Sequence, residues 1–349
     1  MTNPTYQLFI QYASGDIFEI PYLNLDFTDQ LNVGKNARFK LAYSDVEKIC
    51  DAYSTTVMFL LTAGIRTIYV TKNMTKIYLG VITDFILGKD DKGLLTIDVA
   101  SVGLSTMLKK RFTGSLRTFV ATDAGTIAWT LINESQLSDV PYSSFGIVQG
   151  LIQTSVSRDR TFRFSEVHDS IYKMSADNLK NGFDFEVDNN SNFNVFYPSK
   201  GMNRPEIFLD KGNIRSWGFQ KPLILNLTNK VYVLGEGYDD ALQWVLRTAD
   251  VAYRSAFKTL EGTVNERDTG TVANLNDKGD KYLIDNQSPM LDFRIQHTDG
   301  DPDILNYDIG DLLRVKLDEV DINNEYKRVL SRQITIDTQG LCLVTVRFK

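Results

Sequence analysis

Two stretches of this chain repeat one strand-and-turn pattern 247 residues apart, and that repetition restricts the possible folds more than any other feature. In the first, Ile68-Tyr69-Val70, Ile77 to Ile86 and Leu94 to Val99 are rich in β-branched and aromatic residues. Turn chemistry at Lys72-Asn73 and at Asp90 to Gly93 separates them, so they read as a three-strand meander. In the second, Leu312 to Leu317, Tyr326 to Ile336 and Leu341 to Phe348 repeat the order, with a last turn at Asp337 to Gly340. Matching Gly93 to Gly340 gives the 247-residue offset, too long for a solenoid period and suited to two copies of one domain. Convergence is the competing reading, because any two antiparallel meanders share alternation and glycine turns.

Helical periodicity occupies the space between. Val46, Ile49, Cys50 and Tyr53 predict a helix over 43–53, with Ser44 or Asp45 as its cap. A short closing helix over 102–108 runs into Lys109, Lys110 and Arg111. After Thr113 the period lengthens: Asp123 is a good N-cap, and Ala124, Ile127, Ala128, Leu131 and Ile132 form one buried stripe. Ser165 caps a second helix bearing Val167, Ile171 and Met174, which ends at Asn181-Gly182. Phe183, Phe185 and Val187 then alternate into a turn at Asn189-Asn190-Ser191 and back through Phe193, Val195 and Tyr197, a hairpin. Lys230 to Leu234 is a further strand, and Asp239 or Asp240 caps an expected helix containing Ala241, Leu242, Val245 and Leu246. Residues 262 to 281, polar and holding Gly270 and Gly279, read as a long connection or a partly mobile arm.

The expected fold class is therefore α+β, mainly β: two similar barrel-like antiparallel β domains with an intervening α+β region. The boundaries are 1–113, 114–228 and 229–349, the last carrying a helical and polar insertion at about 239–288.

Composition narrows the function classes. With 38 basic and 44 acidic residues the net charge is −6, so a broad phosphate-binding surface would form against the overall field. Two cysteines, Cys50 and Cys342, cannot make a disulfide framework and suit a reducing compartment. Met1 to Tyr12 lacks the pattern of a signal peptide. The most apolar run, Val57 to Ile65, is far short of the roughly 18 residues a membrane span needs, so no stable membrane anchor is expected.

No constellation nominates a reaction, and no catalytic, cofactor-binding or metal-ligating residue is assigned. His168 and His297 are the only histidines; His168 is expected to be structural. His297 opens "HTDGDPD", where Asp299, Asp301 and Asp303 alternate; without a closing glutamate and with Pro302, an acidic surface turn is expected rather than a calcium site. "GEGYDD" at 235–240 lacks the third glycine of a dinucleotide turn, and Asp239 and Asp240 would repel pyrophosphate. Neither a Walker loop nor a Gly-x-Ser-x-Gly elbow occurs. Lys109, Lys110 and Arg111, with Arg117 nearby, read as a solvated helix end rather than a DNA contact. Tyr12, Tyr22, Phe59, Trp217 and Trp244 are expected in cores rather than subunit interfaces.

The run "KIYLGVITDFILGKDDKGLLTIDVASVGLSTMLKKR", then "AGTIAWTLI", then "SRDRTFRFSEVHDSIYKMSADNLKNGFDFEVD", with "NKVYVLGEG" at 229–237 and "YDIGDLLRVKL" at 307–317, resembles the tail-hub proteins of bacteriophages. The likeness covers nearly the whole chain, and the order of the motifs carries it. It implies a noncatalytic virion protein, made in the host cytoplasm, that forms a homotrimeric ring at the tail tip or baseplate around the DNA channel. Three subunits with two similar barrels each present six similar surfaces, which seats a threefold ring under a hexameric tube. The implied partners are the tail tube or distal tail protein, the tape-measure protein and a spike or fibre protein, with DNA only in passage. Because the chain ends with the second meander, any spike or lysin is expected on another polypeptide. The alternatives are a hexameric distal tail protein, a carbohydrate-binding or carbohydrate-degrading tail protein, and the hub of a cell-encoded injection device.

Overall fold

A computed structural model of the chain describes residues 5–12, 15–64, 66–89, 93–140, 143–153, 157–176, 182–220, 227–266, 271–287 and 292–349. The first part builds β1 (Tyr6–Gln11), β2 (Ile17–Glu19), β3 (Asn24–Gln30), β4 (Gly34–Ala42), α1 (Tyr43–Ala52), α2 (Val57–Leu60), β5 (Thr67–Lys72), β6 (Thr75–Lys89), β7 (Leu95–Val102) and α3 (Leu104–Met107). The middle adds β8 (Arg117–Asp123), α4 (Ala124–Leu137), β9 (Val148–Ile152), β10 (Ser157–Phe162), α5 (Val167–Ala176), β11 (Asp184–Val187), β12 (Asn192–Phe196), β13 (Asn203–Leu209) and β14 (Ile214–Gln220). The remainder comprises β15 (Lys230–Leu234), β16 (Trp244–Thr248), α6 (Val251–Phe257), β17 (Glu261–Asn265), α7 (Val272–Asn286), β18 (Asp292–Thr298), β19 (Leu312–Leu317), β20 (Ile322–Asp337) and β21 (Cys342–Phe348).

The fold is α+β and mainly β, as expected. Both meanders form where alternation placed them, and the repeat extends beyond them. The main sheet runs β14-β18-β21-β20-β3-β4-β7-β6-β5-β1-β2, with β19 against β20 and β13 against β19. Within it, β3-β4-β7-β6-β5-β1 and β14-β18-β21-β20-β19-β13 are the same order written twice. The 247-residue offset carries the start of β6 at Thr75 onto the start of β20 at Ile322, and Leu95 of β7 onto Cys342 of β21. Even the irregularity repeats. A β-bulge between Ile82 and Asp84 of β6 has its counterpart between Val329 and Ser331 of β20. A bulge bends a strand and tightens its twist, so the same bend at the same repeat position is a designed feature of both copies. The outer strand differs, since β1 is antiparallel to β5 whereas β13 is parallel to β19.

By compactness the chain divides into two units: Met1–Ala176, Gly182–Ser216 and Ile295–Phe348 form one, and Asp177–Asn181, Trp217–Arg294 and Lys349 the other. The first repeat, most of the middle region and the second meander therefore share one unit. The chain passes between the units along β14 and β18, the strands that correspond to β3 and β4. Where the first repeat has only Leu31 to Val33 between those strands, the second carries the inserted unit. In that unit β15 pairs with β16 and β17 in a sheet of their own.

Two expectations in the inserted unit fail. The helix over 241–246 is instead a hairpin: β15 ends at Leu234, a short 3-10 turn covers Asp239–Ala241, and β16 returns antiparallel. Gly237 enforces that turn, with φ +101° and a Cβ position only 2.2 Å from the carbonyl oxygen of Ala241. The expected connection over 262–281 is largely ordered as β17 and α7, capped by the Thr271 hydroxyl accepting from the amide of Asn274. Helix α7 is itself mostly polar, with Leu275, Gly279 and Leu283 buried on it.

In the first unit, α4 forms as read: Asp123 accepts from the Thr126 amide at 3.0 Å, and Ala124, Ile127, Ala128, Leu131 and Ile132 are buried. Helix α1 instead starts after Ala42, which makes no side-chain cap, while Val46 and Cys50 face the core. Helix α5 covers Val167–Ala176; its expected stop at Asn181, the turn residue Asp90 and Gly270 lie outside the described residues. Helices α4 and α5 and the β11-β12 hairpin close over Tyr69, Leu79, Val81 and Leu104 of the first repeat, forming one apolar cluster.

Candidate functional site: the seam between the repeats

The two repeats are joined edge to edge. Strand β20 pairs antiparallel with β3 from Ser331 opposite Gln30 to Asp337 opposite Asn24, so one continuous sheet crosses from one copy to the other. Leu25, Phe27, Ile334 and Ile336 bury one face of the seam. On the other face Asp26 accepts from Gln333 Nε2 at 3.1 Å and Thr335 Oγ1 at 3.2 Å. Removing these strand edges from solvent gives their backbone groups partners and denies them to other chains.

A buried ion cluster ties the far end of β5 to the loop after β18. Lys72 Nζ lies 2.7 Å from Asp299 and 2.7 Å from Asp303, and the Lys72 and Asp299 side chains are each 1% exposed. The Tyr6 hydroxyl donates to the same Asp299 carboxylate. Burial, with that carboxylate and Cys342 adjacent, pushes the Tyr6 hydroxyl far above the usual range, so it stays a donor. The expected acidic surface turn is therefore corrected. Asp299 is an interior counter-ion, and its other oxygen accepts from the amide of Ile304 at 3.0 Å. Among the described residues no group of three or more His, Cys, Asp or Glu is arranged to hold a metal ion.

The middle region clamps both copies. Toward the first repeat, Asn32 donates to Asp184 at 2.8 Å and accepts from the Phe185 amide, and Lys35 Nζ donates to Asn189 at 2.6 Å. Toward the second, Lys200 bridges Glu186 at 2.6 Å and Asp308 at 2.7 Å, while Arg332 holds Asp308 at 2.7 Å and Arg328 pairs with Asp184. Crowding by protein pushes the Asp308 carboxyl up, but Arg332 and Lys200 outweigh it and hold the carboxyl well below its usual range. For Glu186 burial wins over Lys200 and the pKa is raised. Burial opposes the charge on Lys200 too, yet its two carboxylates prevail and raise it. Gly201 makes this clamp possible: at φ +96°, its Cβ position would lie 2.1 Å from the backbone of Gly310.

Both histidines serve this frame. His168 Nε2 donates to the carbonyl of Val33, in the turn between β3 and β4, at 3.0 Å. His297 is fully buried; its Nδ1 donates to the Thr298 carbonyl at 3.0 Å, and its Nε2 accepts from the Tyr307 hydroxyl at 2.7 Å. Burial lowers both pKa values, and the nearby Lys109 lowers that of His168 further. Neither imidazole faces a cleft, so they read as structural donors and acceptors.

The other sequence candidates are dispersed. Arg111 donates to the Ser143 carbonyl at 2.5 Å and stacks 4.2 Å from the Phe145 ring, and Arg117 pairs with Glu134 at 2.8 Å, so the basic cluster is not one open patch. Tyr12 packs on Phe18 under the Arg66 guanidinium, and Tyr22 is partly buried. Phe59, Trp217 and Trp244, expected in cores, are 55%, 40% and 57% exposed. "GEGYDD" forms the β15-β16 turn and starts no helix able to receive a phosphate. A cleft of about 530 Å³, lined by Gln11, Lys76, Phe145 and Asn190 among others, brings no acid-base pair together. The seam residues were missed by sequence reading, since Lys72 and Asp299 stand 227 positions apart and no spacing rule relates them.

The fold is similar to that of solved phage tail proteins. The chain is similar over 99% of its length to 96% of a tail protein from Neisseria meningitidis MC58, at 14% identity and a TM-score of 0.69. It is similar over 98% of its length to 97% of the prophage MuSo2 43 kDa tail protein from Shewanella oneidensis, at 12% identity and a TM-score of 0.68. It also resembles the E. coli c3393 protein, a component of the type VI secretion system with structural similarity to T4 bacteriophage tail proteins gp27 and gp5, at 10% identity and a TM-score of 0.56, over 94% of this chain and 73% of that one. No protein-family model matches the chain. No curated protein matches it by sequence.

Proposed function

We propose that this protein is a noncatalytic structural component of a bacteriophage tail tip: a homotrimeric hub that joins the hexameric tail tube to the tip complex and surrounds the DNA channel. The observation that carries the reading is the repeat itself, the same strand order and the same bulge at a 247-residue offset within one chain. A chain holding two equivalent surfaces is suited to the junction between threefold and sixfold parts, because three copies supply six such surfaces. The fold shared with phage tail proteins supports the same assignment. The charged clamp around Lys200 and Asp308 suits a mechanical part, since it fixes the two copies without an open reactive group.

On this reading the protein resides in the virion and contacts the tail tube or distal tail protein, the tape-measure protein and a spike or fibre protein, while DNA only passes through. No helix among the described residues is long and apolar enough to cross a membrane. Imaging of tails carrying an epitope-tagged copy tests the placement. Label confined to the tip end of the tube is expected, and label along the tube or on the head would refute it. Release of sugars from host cell walls by the purified protein would instead identify a wall-degrading component.

A further inference from the structure

We propose that this chain closes an internal covalent cross-link, in which the Lys35 amine condenses with the Asn189 carboxamide and releases ammonia. The bond ties β4 of the first repeat to the β11-β12 turn of the middle region. Three groups meet in the order the reaction needs. Lys35 Nζ donates to Asn189 Oδ1 at 2.6 Å, which sets the nitrogen beside the carboxamide carbon Cγ. The Asp29 carboxylate stands 3.6 Å from the same Nζ, and these two side chains are 8% and 11% exposed. Register fixes that pair, since Asp29 of β3 and Lys35 of β4 are cross-strand partners. Gly103 admits the lysine stem, because a Cβ there would lie 2.9 Å from Lys35 Cβ. The target is held as firmly. Asn189 Nδ2 donates to the Lys76 carbonyl at 3.1 Å, so both ends of the carboxamide are engaged and its orientation is set. Its backbone lies in a turn where Asp188 accepts from the amides of Asn190 and Asn192 at 2.8 and 2.9 Å.

A buried amine, a neutral carboxamide and a carboxylate base are the components of a self-catalysed acyl transfer. Asp29 takes one proton from the Lys35 ammonium, and the freed amine attacks Cγ to form the new N–C bond. Asp29 then delivers that proton to Nδ2, the Cγ–Nδ2 bond breaks, and the departing ammonia removes the extra proton left on the lysine nitrogen. An ammonium and a carboxamide thus become an amide and an ammonium ion, so atoms and charge balance and no oxidant or cofactor enters. Holding the reactants in place replaces a collision with an internal step, for which effective molarities of about 10⁵–10⁸ M are reached by well-oriented groups. Asn189 also lines the cleft of about 530 Å³, which gives the ammonia a way out. Lys72 is buried too, but it faces the carboxylates of Asp299 and Asp303, whose negative charge repels an attacking lone pair, so that cluster stays ionic.

The reaction needs one folded chain and no neighbour, so it is independent of the hub reading. Its product closes a loop across 154 positions and restricts the unfolded chain as other cross-links do. The intact mass of the purified wild-type chain is expected to fall short of the sequence mass by one ammonia. Tryptic digestion is expected to give one branched peptide carrying Lys35 and Asn189, uncut after Lys35, and tandem mass spectrometry locates the bond. Lys35→Arg keeps the cation, Asp29→Asn keeps the shape and Asn189→Ala removes the target. Each is expected at its full sequence mass with separate peptides, circular dichroism showing which of them are folded. In a denaturing gel the wild type, held compact by its covalent loop, runs ahead of all three. A folded wild type at full mass overturns the inference. So does an ammonia loss with the two peptides separate, because that is a cyclic imide formed at Asn189 alone. A branched peptide that persists in folded Asp29→Asn overturns the proton transfer given to Asp29.

Discussion

Replacing Lys72 with methionine removes the one cation that, among the described residues, pairs with Asp299 in the buried cluster linking the first repeat to the loop before the second meander. The side chain keeps its length, so the change isolates the charge. Asp299, 1% exposed, would then keep only the Tyr6 hydroxyl and a backbone amide as partners. Breaking a buried ion pair from one side costs about 3–5 kcal/mol, because the remaining charge stays desolvated. At about 2–4 °C per kcal/mol for a unit of this size, the melting temperature falls by roughly 6–20 °C. Replacing both Lys72 and Asp299 with apolar residues of similar volume recovers most of that loss. The exposed pair Lys48–Asp45, with side chains 74% and 38% exposed, is the control, and its removal costs less than about 0.5 kcal/mol. Urea titrations and calorimetry of the three variants read these differences. If Lys72→Met costs no more than the surface control, the cluster does not hold the repeats together and the reasoning fails.

Acid sensitivity is expected from the histidines. Their folded-state pKa values lie below the ordinary 6.5, so the unfolded chain binds protons first, and stability is lost as pH falls below about 6.5. Urea midpoints measured from pH 8 to 5 should decline in the wild type and flatten in His168→Asn/His297→Gln; a rise on acidification would contradict the burial argument. Asp123→Ala removes the cap of α4 and should cost about 1 kcal/mol in chemical unfolding, with no change in assembly size. Gly201→Ala, at φ +96° and against the Gly310 backbone, should cost more than about 1 kcal/mol, and an unchanged unfolding midpoint would show that the clamp is looser than described.

The meanders were legible because each alternating strand ends in turn chemistry, at Lys72-Asn73, Gly93 and Gly340, and the structure places positive φ at Asn73, Gly93 and Gly340. Helix α4 was legible because one capping aspartate precedes a clean apolar stripe. The inserted unit was not. Ala241, Leu242, Val245 and Leu246 happen to fall at helical spacing, while the left-handed glycine before them turns the chain back as a hairpin. Helix α7 buries little besides Leu275 and Leu283, and its Gly279 looked like a breaker although it admits the Arg247 and Val233 side chains. The seam was beyond sequence reading for another reason. Alternation says which face of a strand is buried, but it does not say which strand lies at its edge, and the joining of β20 to β3 is a tertiary choice made by shape and by the buried charges around it.

The proposed hub requires that one chain hold two equivalent sheet modules that complete a ring when three chains meet. Cryo-electron microscopy of the purified assembly, reconstructed without imposed symmetry, tests it directly. The expected map has threefold symmetry and a mass of three 39.6 kDa chains, with six superimposable β lobes lining a central opening. Six chains in the ring, a single chain, or lobes that fail to superimpose would contradict it.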